Sequence, residues 1–474
     1  MGEFRFRIPA DWKLEPRLLR TVHVIGLDGI PGACRVRVEE QLLIVTRNQN
    51  ESGRTYIAFP FYEQGELTIC TGTLPETADP YHLLTELARG TLNRLRNQTA
   101  IWEEGGLNIP DAVRARTIEA TRALSLAITG DDQQRDLAAR ESLNLAMAGI
   151  FALCDQFGQE ISEFRVSHQE IPAFWIAAAR GDGSQGNSEL EASFDLIQSR
   201  SVNGNGSGMQ KRIFGPLLDA SPAASFSRGN LDFNSRRHAL LGTCRRELEQ
   251  ALGATSLIHA VCGLNGVGHQ RLGYRQQMQI TSDILNLVDD LGLQQPVMVS
   301  FENPWAEKLA WSVGGIHPLQ IADELMRGGT RISFIGLDIN LDYWPTGSLS
   351  RDPLQWIDMF DIWSQFGLPL VLCFRIPQTA ASKLSGNHDR SSGSKEPAGT
   401  NSIRETLSSE QRLDLIRTVL PMAVARPGLH GVIWRQWSDA DDPRFPLAGM
   451  VDGSGGVKPI GQILKQLREN VLQR

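Results

Sequence analysis

The sequence predicts an α/β protein: a (β/α)8 barrel preceded by a small all-β domain and an α-helical hairpin. Three observations carry this reading. Eight short apolar runs follow one another after about residue 170, most of them separated by amphipathic stretches of helical period. Those runs are apolar throughout rather than alternating, the mark of parallel strands buried on both faces. Eight such units over roughly 300 residues fit a closed barrel better than an open sheet. The expected boundaries are 1–78 for the β domain, 79–165 for the helical segment and 166–474 for the barrel.

Within 1–78, "CRVRVEEQLLIVTR", "RTYIAFPFYEQ" and "GELTICTG" are rich in β-branched and aromatic residues and are punctuated by Gly, Pro and Asn, which suits a small sandwich. From residue 81 the period changes. "YHLLTELARGTLNRLRNQTAIW", "DAVRARTIEATRALSLAIT" and "RDLAARESLNLAMAGIFALCDQF" place apolar residues at helical spacing and predict two or three packed helices. The barrel strands are expected at "FWIAAA", "SFDLIQS", "RIFGPLLD", "SLIHAVCGLN", "PVMVSFEN", "RISFIGLDINL", "PLVLCFRIP" and "HGVIWRQWS". Between them, "DPLQWIDMFDIWSQFG" shows how a helix is specified. Asp352 caps it, Pro353 fits its first turn, Leu354, Ile357, Phe360, Trp363 and Phe366 form one face, and Gly367 stops it. Ser408 and Gln411 have the spacing of a capping box for the next helix. Gly/Ser-rich stretches flank the second strand, and a polar insertion at 379–402 follows the seventh.

Composition narrows the partners. Lys and Arg total 47 against 54 Asp and Glu, a formal net charge of −7, which argues against nucleic acid. The basic residues are scattered, with no run suited to an anionic membrane. Six cysteines lie far apart without a CxxC, as expected of buried thiols in a reducing compartment. The first twelve residues lack an apolar leader core, so the expectation is a cytoplasmic protein. No GxGxxG follows a strand, and no cofactor is expected.

Function in such a barrel comes from the C-terminal ends of its strands. Those ends supply Asp219, His259, Asn265, Glu302, Asp338, Asn340, Arg375, Trp434, Trp437 and Asp439, with Trp305 just beyond the fifth strand. Seven of the ten tryptophans fall between Trp305 and Trp437, and indoles among carboxylates and amides suit a sugar: rings stack, hydroxyls pair. Trp356, Trp363 and Trp311 read instead as packing residues, and His259 as a satisfied core histidine. Trp434 is the favoured stacking residue, because residues three apart on a strand face opposite ways and only one of Trp434 and Trp437 can enter a cleft.

The segment "SFIGLDINLDYW…LQWIDMFDIWSQFGLPLVLCF…HGVIWRQWSDADDPRFPLAGMVDGSGGVKPIGQIL" resembles the C-terminal half of family 10 glycoside hydrolases, the xylanase-type barrels. "IGLD" matches the sixth strand of that family, "GLPL" the approach to the seventh, and Trp434 to Asp439 with "DGSGGVKP" the eighth strand and last helix. "ELARGTLNRLRNQ" and "GPLLDASP" look like a divergent bacterial group that carries β and helical segments ahead of the barrel. The resemblance implies a β-linked oligo- or polysaccharide as partner and an endo-β-glycanase type of O-glycosyl hydrolase. It also implies two catalytic glutamates, at the ends of the fourth and seventh strands, and here the chain departs from the pattern. "HAVCGLNG" offers Leu264 or Asn265, and "LVLCFRIP" offers Phe374 or Arg375; neither run holds a carboxylate. Retaining hydrolysis needs two carboxyl groups about 5 Å apart. Glu302 with Asp439 is the substitute pair expected if the chain is a hydrolase, with Asp219, Asn265, Trp305, Asp338, Asn340, Arg375, Trp434 and Trp437 binding substrate. The alternative is a carbohydrate-binding or scaffold protein on a degenerate glycosidase barrel. A third option, a divalent ion held by Asp219, Glu302 and Asp338, lacks a histidine at ligand spacing, and no metal is expected.

Overall fold

The computed structural model describes residues 2–168, 174–181, 184, 187–200, 211–220, 232–251, 255–265, 273–311, 315–344, 347–378, 402–403 and 406–469. Most of the polar insertion expected at 379–402 lies outside these residues, as does the side chain of Trp344.

The barrel is closed. Its strands are β1 (Trp175–Ala179), β2 (Leu196–Ser199), β3 (Lys211–Phe214), β4 (Thr255–Leu264), β5 (Val297–Glu302), β6 (Phe334–Asn340), β7 (Leu370–Arg375) and β8 (Leu429–Trp434). Each is parallel to the next, and β8 returns to β1 through the pairs Gly431–Trp175 and Trp434–Ala178. These are the eight runs read from the sequence. Ala177, Leu196, Ile213, Leu257, Met298, Val371, Cys373 and Ile433 pack together in the lumen, while the alternate residues pack outward under the helices. That parity decides which strand-end side chains can reach the mouth.

Helices ring the sheet: α4 (Phe233–Ala251), α5 (Tyr274–Asp290), α6 (Pro318–Arg327), α7 (Pro353–Ser364), α8 (Ser409–Ala425) and α9 (Pro459–Leu467). Their ends follow the local chemistry. Asp352 accepts from the backbone of Leu354 and Gln355 to start α7, and Ser408 with Gln411 closes a capping box on α8. Gly367 takes a positive φ of 69° just past α7. Between β1 and β2 the described chain forms only a four-residue helix, Ser188–Glu191.

Ahead of the barrel stand two four-stranded sheets, a four-residue helix at Pro16–Leu19 and three long helices, α1 (Leu83–Glu104), α2 (Asp111–Thr129) and α3 (Asp132–Ser167). The short strand Tyr81–His82 extends one of the sheets beyond residue 78. The stretch Gln134–Ser167 of α3 is long and apolar enough to cross a membrane, and 56% of its apolar 18-residue window is buried inside the molecule. The N-terminal sheets bond directly to the barrel. Thr68 N–H donates to Ser350 O at 2.8 Å, the side-chain amide of Gln355 donates to Thr68 O at 2.5 Å, and Arg94 pairs with Asp352 at 2.7 Å.

Candidate functional site

The C-terminal ends of the barrel strands converge on a polar mouth. Two linked spaces lie there. One is a cleft of about 230 Å³ lined by Gln198, Asp219, Arg375, Arg435, Gln436, Asp441 and Asp442, among others. The other, about 10 Å³, lies against Asp219, Cys262, Glu302, Asp338, Asn340, Arg375 and Arg435, and is no larger than one water needs.

Asp338 is the most firmly held group. Its Oδ2 accepts from Ser300 Oγ at 2.6 Å and from Gly263 N at 2.9 Å, and its Oδ1 accepts from Arg435 Nη1 at 2.8 Å. Arg435 also donates to Cys262 Sγ at 3.3 Å. Because Ser300 spends its one proton on the carboxylate, the contact from His259 Nε2 at 3.0 Å must be a donation to Ser300. His259 Nδ1 is then an acceptor, and Gln198 Nε2 supplies it at 2.7 Å. A single chain of hydrogen bonds thus crosses the lumen in one direction, from Gln198 through His259 and Ser300 to Asp338. Burial holds His259 well below the usual imidazole range, so it is the neutral core histidine expected. Gly336 makes room for this chain, since a Cβ there would lie 2.4 Å from Ser300 Cβ.

Glu302 sits differently. It is 5% exposed, its Oε1 receives Asn340 Nδ2 at 3.4 Å, and its Oε2 has no partner among the described residues. Burial pushes its carboxyl up to about 8; nearby Lys308 opposes the shift, and Asp338 and Asp219 add to it. The same burial lowers the ammonium of Lys308. With Oε1 accepting from Asn340, the proton of the neutral acid belongs on the open Oε2.

Three of the other carboxylates at the mouth have an arginine beside them, while Asp441 accepts from Ser184 Oγ at 2.6 Å and from Ser438 N at 2.9 Å. Asp219 lies 3.6 Å and Asp442 2.7 Å from Arg444, and Asp338 has Arg435. Asp442 is held below the usual carboxylate range because its bonds to Arg444 outweigh its burial. Arg375, at the end of β7, has no carboxylate within ion-pair distance among the described residues. Its buried Nε is likewise without a partner among them, and its guanidinium lies 4.4 Å from the Phe445 ring centroid. Asn265 follows β4 and Asn303 follows β5 with φ of 68° and 56°, backbone that asparagine tolerates better than most residues.

The structure brings Asp219, Glu302, Asp338, Asn340 and Arg375 together, and places the other sequence candidates elsewhere. Asp439 is a loop residue. It pairs with Lys458 at 2.9 Å and accepts from Gly449 N at 2.9 Å, and it is not among the residues lining either space. Trp434, expected in the cleft, is 2% exposed. It packs outward against Phe374 with its indole N–H on Ala448 O, because Ile433 and not Trp434 faces the lumen. Trp437 is wholly buried at the edge of Phe194. Trp305 donates to Gln355 O and lies beneath Arg351, away from both spaces. Asn265 is buried, with its backbone N–H on Gln277, outside the lining of both spaces.

The residues missed from sequence are Arg435, Gln198, Gln436, Lys308, Asp442 and Arg444. A signal existed for Arg435, two positions beyond the lumenal Ile433 on one strand face. No group of three or more His, Cys, Asp or Glu suited to a metal occurs among the described residues.

No protein-family model and no curated protein matches the chain. Among solved structures it is similar to xylanase 10B from Thermotoga maritima, at 9% identity over 68% of this chain and 99% of that one, with a TM-score of 0.42. A GH10 endoxylanase from a sugarcane soil metagenome is 11% identical over 65% and 99%, with a TM-score of 0.43. A GH128 endo-β-1,3-glucanase from Amycolatopsis mediterranei is 11% identical over 62% and 99%, with a TM-score of 0.38. The barrel assignment rests on the strand order described above, not on these likenesses.

Proposed function

We propose that the barrel mouth binds a saccharide and does not cleave it by the two-carboxylate route. One observation carries the reading: among the described residues, Glu302 is the mouth carboxyl with a buried oxygen that has no partner, while the carboxylates around it are engaged, Asp441 by Ser184 and Ser438. Asp338 is saturated by three donors, Asp219 and Asp442 are paired with Arg444, and Asp439 is tied to Lys458. One proton-carrying acid can donate to a ligand hydroxyl or glycosidic oxygen, but retention or inversion requires a second carboxylate free to act as nucleophile or base. The saccharide class is supported by the resemblance of residues 296–465 to family 10 glycoside hydrolases and by the polar lining of the cleft. Buried oxygens without partners among the described residues, on Glu302, Gln198 and Gln436, suit a ligand rich in hydroxyls. The cleft of about 230 Å³ has room for one or two sugar rings rather than a long stacked chain.

A second reading has its own support. A carboxyl raised by burial is what a general acid needs near neutral pH, and Asp219, whose pairing is the longest at 3.6 Å, would be its partner. Calorimetric titration with glucose, xylose and their β-linked disaccharides tests the binding claim. Micromolar to millimolar binding that is lost in Asn340→Leu is expected. No heat with any sugar would sink it.

A further inference from the structure

We infer that the saccharide held at the mouth carries a carboxylate, and that the guanidinium of Arg375 receives it. This rests on the saccharide reading above and narrows it to sugar acids.

The arginines in and beside the cleft differ in their partners. Arg435 has Asp338 at 2.8 Å, Arg180 has Glu191 at 2.7 Å, and Arg200 has Glu247 at 3.0 Å. Arg444, on the loop after β8, is engaged by Asp442 and Asp219. Arg375 alone among these five has no carboxylate within ion-pair distance among the described residues, and it borders both spaces. A partly buried guanidinium beside a second one is an unfavourable arrangement unless something anionic completes it. Burial and the nearby Arg435 pull its proton affinity below the ordinary arginine value, in keeping with that. The group is also held in place. Its plane rests near Phe445, which is itself packed on Tyr343 at 4.5 Å between centroids. A guanidinium fixed by its face offers its N–H edge, the geometry that accepts a carboxylate with two parallel bonds.

The other lining groups require more than a bare anion. Gln198 Oε1 and Gln436 Oε1 are buried acceptors with no partner among the described residues. For Gln198 the orientation follows from the hydrogen-bond chain, because its amide nitrogen is committed to His259. Two acceptors call for two donors, which hydroxyls supply. A neutral sugar leaves Arg375 unpaired, and a simple anion leaves the amide oxygens unpaired. A polyhydroxylated carboxylate satisfies both. A sugar phosphate shares the chemistry but carries nearly two charges into a cleft that also presents Asp219, Asp441 and Asp442, which favours the single charge.

The test is calorimetry on the full chain with glucuronate, galacturonate, glucose, galactose, glucose 6-phosphate and inorganic phosphate. The wild type is expected to bind a uronate at least about tenfold more tightly than its neutral parent. In Arg375→Gln the ratio of uronate to neutral-sugar affinity falls to about one, and Arg375→Lys keeps part of the preference. Equal affinity for a uronate and its parent in the wild type overturns the inference without recourse to any variant. So does a preference that survives Arg375→Gln, or tighter binding of the phosphates. Neutral sugars binding while uronates fail removes only the carboxylate. Failure of every sugar removes the saccharide reading beneath it.

Discussion

Glu302 and Asp338 are neighbours across β5 and β6 with opposite fates, and the difference is hydrogen bonding. Asp338 receives three donors and is fixed; Glu302 receives one long contact and stays protonated because burial penalises its anion. That has a consequence for stability. Between an ordinary glutamate value near 4.5 and the folded value of about 8, the native state keeps a proton that the unfolded chain has lost. Stability attributable to this group therefore falls as pH rises through that window, by at most about 1.4 kcal/mol per unit. Glu302→Gln removes the term. Its melting temperature should exceed that of wild type at pH 8 and converge with it near pH 5; a gap that does not grow with pH would show that Glu302 is already ionised in the folded protein. Lys308, lowered by the same burial, acts in the opposite direction only above about pH 8, so the comparison stops there.

At the scale of elements, β8 and the loop after it show what the sequence made legible. The strand itself, its place as the eighth and the helix opening with Pro459 were readable from apolar runs and punctuation. The facing of its side chains was not. A strand buried on both faces has no polar alternation to mark its inner side, so Trp434 was favoured for the cleft and Arg435 was not considered. The lumenal position of Ile433 decides it for Arg435. Carboxylates were legible as a set near the mouth, but their partners were not, since Lys458 meets Asp439 only when the loop folds back. Asp439→Asn should loosen that loop, with a loss of about 1 kcal/mol for a partly exposed pair and unchanged sugar affinity. A loss of binding as large as that of Asn340→Leu would return Asp439 to the site.

Over the whole molecule, the N-terminal sheets and the barrel share buried side chains. Arg351, almost wholly buried in the barrel, donates to Gln355, lies 3.7 Å from the buried Glu307, and places its guanidinium over Trp305 of the barrel and Tyr56 of the N-terminal sheet. Such a residue couples the two parts. Arg351→Ala leaves Glu307 without that partner and should cost about 3–5 kcal/mol, lowering one shared thermal transition. Two separate transitions in the variant, one of them unmoved, would show that the parts fold apart. The joint also matters for the site, because Glu307 and Lys308 follow β5 directly and bring this interface up to Glu302.

The central claim is that this mouth holds a saccharide and leaves it whole. The measurement that tests it most directly is product release from β-linked tri- and tetrasaccharides, neutral and acidic, incubated with wild type at high protein concentration beside Glu302→Gln. The account predicts saturable binding by wild type and no new reducing ends with any substrate. Cleavage by wild type that vanishes in Glu302→Gln would contradict it and make Glu302 the acid of a working hydrolase.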